Sequence, residues 1–363
     1  MSFLSRIEHL LRELRNEHRY RELPLRQLAD VIDFSSNDYL GMARDPQVVA
    51  ALAHATRVGS GGSRLLAGRN REHSLLEEEL AQWLGRERAL LFSSGYLAAV
   101  GAIPVLAGLC ETILSDRGNH ASLIDGIRLS RKTCLIYERS TLPPSTARDG
   151  AQSALLVSET LFGMDGEAID PGALLAGLRA DDVLLLDEAH ALGVLGPDGA
   201  GLARELEDPR VVVMGTLSKA FGTLGGFIAG PAPVVELLVN RARSFIFDSA
   251  LPPALALAAR ISLHLLRDAG ERRERLSANA ARLRAALGMP EGRGPIVPVP
   301  LGSEARAMEV AGALLKRRLV VPAIRPPTVP PGTSRLRVSL RADHTPDQID
   351  LLAVELQRCI AIS

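Results

Sequence analysis

The chain has 363 residues, 47% of them hydrophobic, with 42 basic and 42 acidic side chains that cancel to a net charge of zero. That length can bury a core extensive enough for two lobes, and the balanced charge supplies no basic stripe for nucleic acid. Cys110, Cys134 and Cys359 show neither metal-ligand spacing nor a disulfide framework, so metal catalysis is not indicated and a reducing cytoplasm is the expected compartment.

The opening segment, residues 3–14, sets apolar residues at helical spacing among charges, which predicts an amphipathic helix rather than a signal peptide or a membrane span. Residues 89–92 read as a strand, and Ser93-Ser-Gly95-Tyr96 then opens an alanine-rich helical stretch running to Ala107. Amides at a helix start bind anions, so this turn is a candidate phosphate cradle, although an ordinary strand-to-helix turn reads the same way. His120 stands between a strand and a helix, either as a structural loop histidine or as a group that stacks on a ring. Strand candidates at 155–157, 183–186 and 211–214 alternate with helical stretches, which predicts the α/β class with a mostly parallel sheet covered on both faces. Past Pro252-Pro253, an alanine- and leucine-rich helical region leads to a glycine-bounded hinge at 288–294. A strand at 296–300, a helix near 304–318, a strand at 335–340 and a final amphipathic helix complete a compact α+β lobe. The expected organisation is an N-terminal helix and arm (1–45), a large domain (46–287) and a small domain (288–363).

Lysine usage carries the chemistry. Only Lys132, Lys219 and Lys316 occur among the 42 basic residues, and Lys219 lies in the glycine-bounded turn Gly215-Thr-Leu-Ser-Lys-Ala-Phe-Gly222. An amine, unlike a guanidinium, can lose its proton and attack a carbonyl. The natural carbonyl is the aldehyde of pyridoxal phosphate. Upstream, Val183-Leu-Leu-Leu-Asp187-Glu-Ala-His190 is a short apolar run ending in an acid, the pattern of a buried parallel strand that delivers Asp187 to its carboxyl end, where open α/β sheets bind ligands. A carboxylate there can keep a pyridine nitrogen protonated, and His190 can reach the ring's phenolic oxygen. The same letters, Asp-Glu-Ala-His, also spell a helicase box. That chemistry needs a phosphate loop with Gly-Lys-Ser/Thr, and none of the three lysines follows a glycine.

Phe34-Ser-Ser-Asn-Asp-Tyr-Leu-Gly41, Gly59-Ser-Gly-Gly-Ser-Arg64, Ser94-Gly-Tyr96, His120-Ala-Ser-Leu123, Met164-Asp-Gly166, Asp187-Glu-Ala-His190 and Thr216-Leu-Ser-Lys219 occur in unbroken order along essentially the whole chain. Together they resemble the α-oxoamine synthases, pyridoxal-phosphate enzymes of transferase fold type I. The resemblance implies a large lobe with a mostly parallel central sheet and a smaller C-terminal α+β lobe. It makes Lys219 the cofactor-bearing lysine, Asp187 the pyridinium partner and His120 the ring-stacking group, with His190 on the phenolic oxygen. It assigns the phosphate to Gly95, Tyr96 and Thr216, the amino-acid carboxylate to Arg337, and the substrate wall to Arg325 and Thr328, with Arg19 as the N-terminal substrate arginine. Asn37, Tyr39 and Ser249 are expected to reach a partner's cofactor in an obligate homodimer.

Residues 323–330 and 335–337 most resemble the branch of the family that condenses L-alanine with a pimeloyl thioester in the biotin pathway. The acyl donor would be pimeloyl-CoA or pimeloyl-acyl carrier protein, and carbon dioxide would leave. Glycine or serine with another acyl thioester is the alternative substrate pair, and a non-catalytic partner subunit of the same fold is the alternative class, against which Lys219, Asp187 and His120 speak. Two positions depart from the family pattern. Gly163 stands where relatives usually carry a serine that helps bind the phenolic oxygen, and Ala99 replaces a common asparagine.

Overall fold

A computed structural model of the chain describes residues 2–23, 31–139 and 153–361. Its strands, in chain order, are β1 (Ile32–Asp33), β2 (Arg88–Phe92), β3 (Thr112–Asp116), β4 (Thr133–Tyr137), β5 (Ala154–Glu159), β6 (Val183–Asp187), β7 (Val211–Thr216), β8 (Gly226–Gly230), β9 (Ile296–Gly302), β10 (Leu319–Val320), β11 (Ala323–Ile324) and β12 (Ser334–Ser339). The chain divides into two compact units, one of residues 38–163 with 167–274, the other of residues 1–37, 164–166 and 275–363.

The first unit is built on a seven-stranded sheet in the order β2-β8-β7-β6-β5-β3-β4. Strands β3 to β7 run parallel, and β8 is antiparallel to both neighbours. Every residue of β5 and β7 is buried, as are all but the first of β6, so these strands read as continuous apolar runs and not as alternating ones. Alternate side chains still serve opposite layers. Leu155, Val157, Leu185 and Val212 pack with Ala98, Ala102, Ile103 and Leu106 of the helix Gly95–Ala107 on one face. Leu156, Leu184, Leu186 and Val213 pack with Leu174 on the other. Emptying one such position, as in Leu185→Ala, costs about 2–5 kcal/mol. The parallel order sets the carboxyl ends of β5, β6 and β7 side by side, with Glu159 opposite Asp187 and Asp187 opposite Met214.

The second unit holds a three-stranded antiparallel sheet, β11-β12-β9, and a short parallel pair, β1 with β10. The seam between the units falls inside the helix Gly270–Ala286, where the sequence suggested a hinge at 288. Two polar side chains explain why the end of that helix goes with the second unit. Asn279 donates to the carbonyls of Arg341 and His344, and Arg284 donates to those of Gly292, Gly294 and Ile296. The helix Phe3–Asn16 has the expected amphipathic pattern, capped by Ser2, with no residue buried. Among the described residues, no helix is long and apolar enough to cross a membrane.

Candidate active site

Three neighbouring strands end at the candidate site. Strand β6 delivers Asp187, which is 4% exposed and accepts a hydrogen bond from the Ala189 amide at 2.8 Å. Burial raises its carboxyl above the ordinary range, opposed by the Lys219 charge, the Ala189 bond and His120. Strand β7 ends in Thr216, from which the lysine turn springs. Thr216 Oγ1 donates to the Gly225 carbonyl at 3.0 Å and lies 2.8 Å from Ser218 Oγ. The Leu217 amide closes the turn on Gly225 at 2.9 Å, and Gly222 binds the Lys219 carbonyl at 2.8 Å. Lys219 itself is half-buried. The structure therefore brings Lys219 and Asp187 within electrostatic reach of each other and of His120.

His120 is the N-cap of the helix Ala121–Ser130. Its Nδ1 accepts from the Ser122 amide at 3.2 Å and lies 2.8 Å from Ser122 Oγ, so the neutral ring carries its hydrogen on Nε2. Desolvation lowers its pKa, Lys219 adds to this, and Asp187 opposes. A neutral, planar imidazole is suited to stacking on an aromatic cofactor.

The proposed phosphate turn begins a helix as expected. Ser94 is the N-cap and accepts from the Leu97 amide at 3.2 Å. A Cβ on Gly95 would lie 3.1 Å from Thr216 Cβ and Oγ1, and one on Gly226 would lie 2.4 Å from the Gly95 nitrogen. Gly95 and Thr216 are thus brought together, and the small residues leave a cradle floored by backbone, suited to an anion. Tyr96 is 45% exposed and donates its hydroxyl to Asp125. Ser249 is exposed and follows Asp248, which holds the Ser93 hydroxyl.

Three features were not read from the sequence. Glu159 ends β5 beside Asp187, is 3% exposed and accepts from the Gly163 amide at 3.3 Å. Burial first, and then the Asp187 charge, push its carboxyl up to about 8. The signal was available, since Ala154-Leu-Leu-Val-Ser-Glu159 repeats the pattern of an apolar run ending in an acid that identified Asp187. Glu188, the unassigned member of the Asp-Glu-Ala-His segment, is a structural tie that accepts from the amides of Leu202 and Ala203 at 3.1 and 2.7 Å. Tyr39, expected to reach a partner subunit, is instead fully buried in its own chain, with its hydroxyl 2.6 Å from His190 Nδ1.

The expected substrate residues belong to the second unit. Arg337, on β12 and 4% exposed, donates through Nη1 to Asn37 Oδ1 at 2.9 Å and to Ser339 Oγ at 2.7 Å, so Asn37 and Arg337 meet. Arg325 is used otherwise. Its guanidinium donates to the carbonyls of His18 and Tyr20, and Arg21 donates back to the Pro326 carbonyl at 3.4 Å. Arg19 pairs with Glu17 at 3.0 Å and Glu304 at 3.4 Å. Thr328 is exposed and bonds through its amide to the Arg325 carbonyl at 3.1 Å.

A deprotonatable amine, a buried acid, a flat neutral imidazole and a glycine-floored anion cradle fit the aldehyde, ring nitrogen, ring face and phosphate of pyridoxal phosphate. Comparison with known proteins agrees. The chain is 44% identical over 335 residues to the 8-amino-7-oxononanoate synthase of Methylococcus capsulatus, covering 88% of this chain and 86% of that one. It is 48% identical over 335 residues to the enzyme of that name from Anaeromyxobacter dehalogenans, covering 88% and 84%. A solved structure of SPT carrying PLP superposes with a TM-score of 0.91 at 30% identity, covering 100% of this chain and 99% of that one. The family description "aminotransferase class I and II" matches residues 29–356, and the chain belongs to that family of pyridoxal-phosphate enzymes.

Proposed function

We propose that this chain catalyses the decarboxylative condensation of L-alanine with a pimeloyl thioester, giving 8-amino-7-oxononanoate, carbon dioxide and the free carrier thiol, a step of biotin synthesis in the cytoplasm. The observation that carries the reading is the meeting of Lys219, Asp187 and His120 at the carboxyl ends of β6 and β7, in a chain whose relatives at 44% and 48% identity bear that enzyme's name. When bound, pyridoxal phosphate supplies an electron sink next to the amino acid's α-carbon.

The chain's own residues do the rest. Asp187 keeps a proton on the pyridine nitrogen, and its burial strengthens that pairing. His120 would stack on the ring face. The amides at Gly95 and Tyr96, with the Thr216 hydroxyl, hold the phosphate, and His190 binds the phenolic oxygen. Arg337, with Asn37 beside it, receives the amino acid's carboxylate. The Lys219 amine removes the α-proton and later returns one. Arg19 and Thr328 face the acyl substrate, while Arg325 acts by holding the 18–20 backbone. Two copies form a homodimer in which Ser249 serves the second copy's cofactor.

The likeness to a solved serine palmitoyltransferase (SPT) at a TM-score of 0.91 and 29% identity favours one second reading, serine with a longer acyl thioester. Purified protein loaded with cofactor is offered alanine, glycine and serine against pimeloyl and longer-chain thioesters of coenzyme A and acyl carrier protein, with products identified by mass. The expected product arises from alanine and the pimeloyl chain. Turnover of serine with a long acyl chain, and none with alanine, replaces the reading.

A further inference from the structure

The three side-chain positions around His190 form one device. Gly163 has no left-handed backbone torsion to require glycine, yet a Cβ built there would lie 2.4 Å from His190 Nε2, 3.0 Å from Cδ2 and 3.2 Å from Cε1. The imidazole therefore occupies the room that any side chain at 163 would need. On its other edge, Nδ1 lies 2.6 Å from the hydroxyl of Tyr39, which is fully buried. A buried tyrosine hydroxyl needs a partner, and when it donates to Nδ1 that nitrogen carries no hydrogen and the ring hydrogen sits on Nε2. His190 is 5% exposed and closes the Asp187-Glu-Ala-His loop, so the ring is held from within the chain.

We propose that Tyr39 is a positioning residue that sets the His190 tautomer, and that Gly163 keeps clear the space the ring occupies, so that the oriented Nε2–H is presented to the cofactor's phenolic oxygen without help from a hydroxyl at 163. The last clause rests on the reading of His190 given under the proposed function. The first two concern only this chain and hold without cofactor. Tyr39 touches no reacting atom and acts through the histidine.

The test uses full-length protein with ¹⁵N-labelled histidine, in which nitrogen shifts and two- and three-bond couplings report which ring nitrogen of His190 carries hydrogen. Assignment comes from the loss of one spin system in His190→Asn. Cofactor-free wild type is expected to show hydrogen on Nε2. In Tyr39→Phe, loss of one hydrogen bond lowers the preference for that tautomer about tenfold. Gly163→Ala, by displacing the ring, loses the same signature, and far-ultraviolet spectra of both variants matching wild type separate this from misfolding. Wild-type His190 with hydrogen on Nδ1, or a tautomer ratio unchanged in Tyr39→Phe, overturns the role of Tyr39. Ring shifts unchanged in Gly163→Ala overturn the steric role of Gly163. A second measurement separates the parent reading, namely the ratio of the two visible absorbance bands of cofactor-loaded protein at fixed pH. Tyr39→Phe and His190→Asn are expected to change it in the same direction. If His190→Asn leaves the bands unchanged, His190 does not serve the phenolic oxygen and the proposed donor role falls, whatever the tautomer data say of Tyr39.

Discussion

Replacing Arg337 by lysine separates planar geometry from charge. Arg337 is 4% exposed, and its Nη1 serves both Asn37 Oδ1 at 2.9 Å and Ser339 Oγ at 2.7 Å. An ammonium retains the charge but cannot present the two parallel N–H bonds of a guanidinium to a carboxylate. Loss of a hydrogen bond to a charged group costs roughly 1.5–3 kcal/mol, which is on the order of ten- to a hundredfold in affinity. L-alanine affinity, read from the visible absorbance of cofactor-loaded protein, is expected to fall by that order in Arg337→Lys, with cofactor loading intact. Asn37 and Ser339 also lose their common donor, so stability against urea should drop by about 1–2 kcal/mol. The control is Arg325→Lys. Arg325 donates to the carbonyls of His18 and Tyr20, so its replacement should lower stability and leave alanine affinity close to wild type. Normal alanine affinity in Arg337→Lys with a large loss in Arg325→Lys would refute the assignment of the two arginines.

Lys219→Ala is expected to hold the cofactor through its other contacts but to lose covalent attachment on borohydride reduction. Wild-type label found by peptide mapping on Lys132, whose amine donates to the Cys110 carbonyl at 2.8 Å, or on Lys316 would defeat the assignment. His344 is held down to about 4 by burial first and then by Arg341, against an ordinary 6.5. Its Nδ1 accepts from the Arg341 amide, and its Nε2 lies 3.0 Å from the Asp33 carbonyl. With the folded pKa depressed, its contribution is present above about pH 6.5 and disappears as pH falls to about 4, with an upper bound of about 3 kcal/mol. Urea titrations of His344→Gln should lack that part of the acid slope, and an identical slope counts against it. Glu159 has the opposite sign, since its carboxyl is raised from 4.5 to about 8. Its contribution is complete below about pH 4.5 and is lost as pH rises to about 8, by a few kcal/mol at most. For cofactor-free protein, the stability difference between wild type and Glu159→Gln should therefore shift toward the variant between pH 5 and pH 8, and a constant difference would exclude a buried neutral acid.

The strands that form the centre of the sheet were legible because burial on both faces leaves an unbroken apolar run, as in Val183–Asp187 and Val211–Thr216. Strand β8 was not, because its bounding glycine at 226 answers a constraint from elsewhere, the approach of Ser94 and Gly95. Asp187 and Lys219 could be read from local pattern and residue choice. Glu159 obeyed the same rule but escaped it, since the expected strand stopped at Val157, two residues before the acid. Tyr39 and His190 are 151 positions apart, and no periodicity carries information over that separation. The use of Arg325 on backbone carbonyls was equally hidden, because a guanidinium that binds a substrate carboxylate and one that binds peptide oxygens look the same in sequence. The seam inside the helix Gly270–Ala286 depends on Asn279 and Arg284 reaching carbonyls beyond that helix, which the glycine pattern at 288–294 does not encode.

Strands β7 and β8 pair antiparallel, with Thr216 opposite Gly226, so the segment bearing Lys219 leaves and re-enters one sheet between adjacent strands. Leu217 to Gly225 and Thr223 to Leu217 lock it across its neck. The hydrogen-bonded amides of Leu217 and Thr223 should therefore exchange more slowly than that of the exposed Ser218 between them. The peptide frame is then a fixed mount, and the travel of the lysine nitrogen is limited to the arc swept by its own side-chain torsions. A longer connection between Gly222 and Gly226 would leave the nitrogen chemically unchanged but enlarge that arc, diluting the local concentration of the amine at its target.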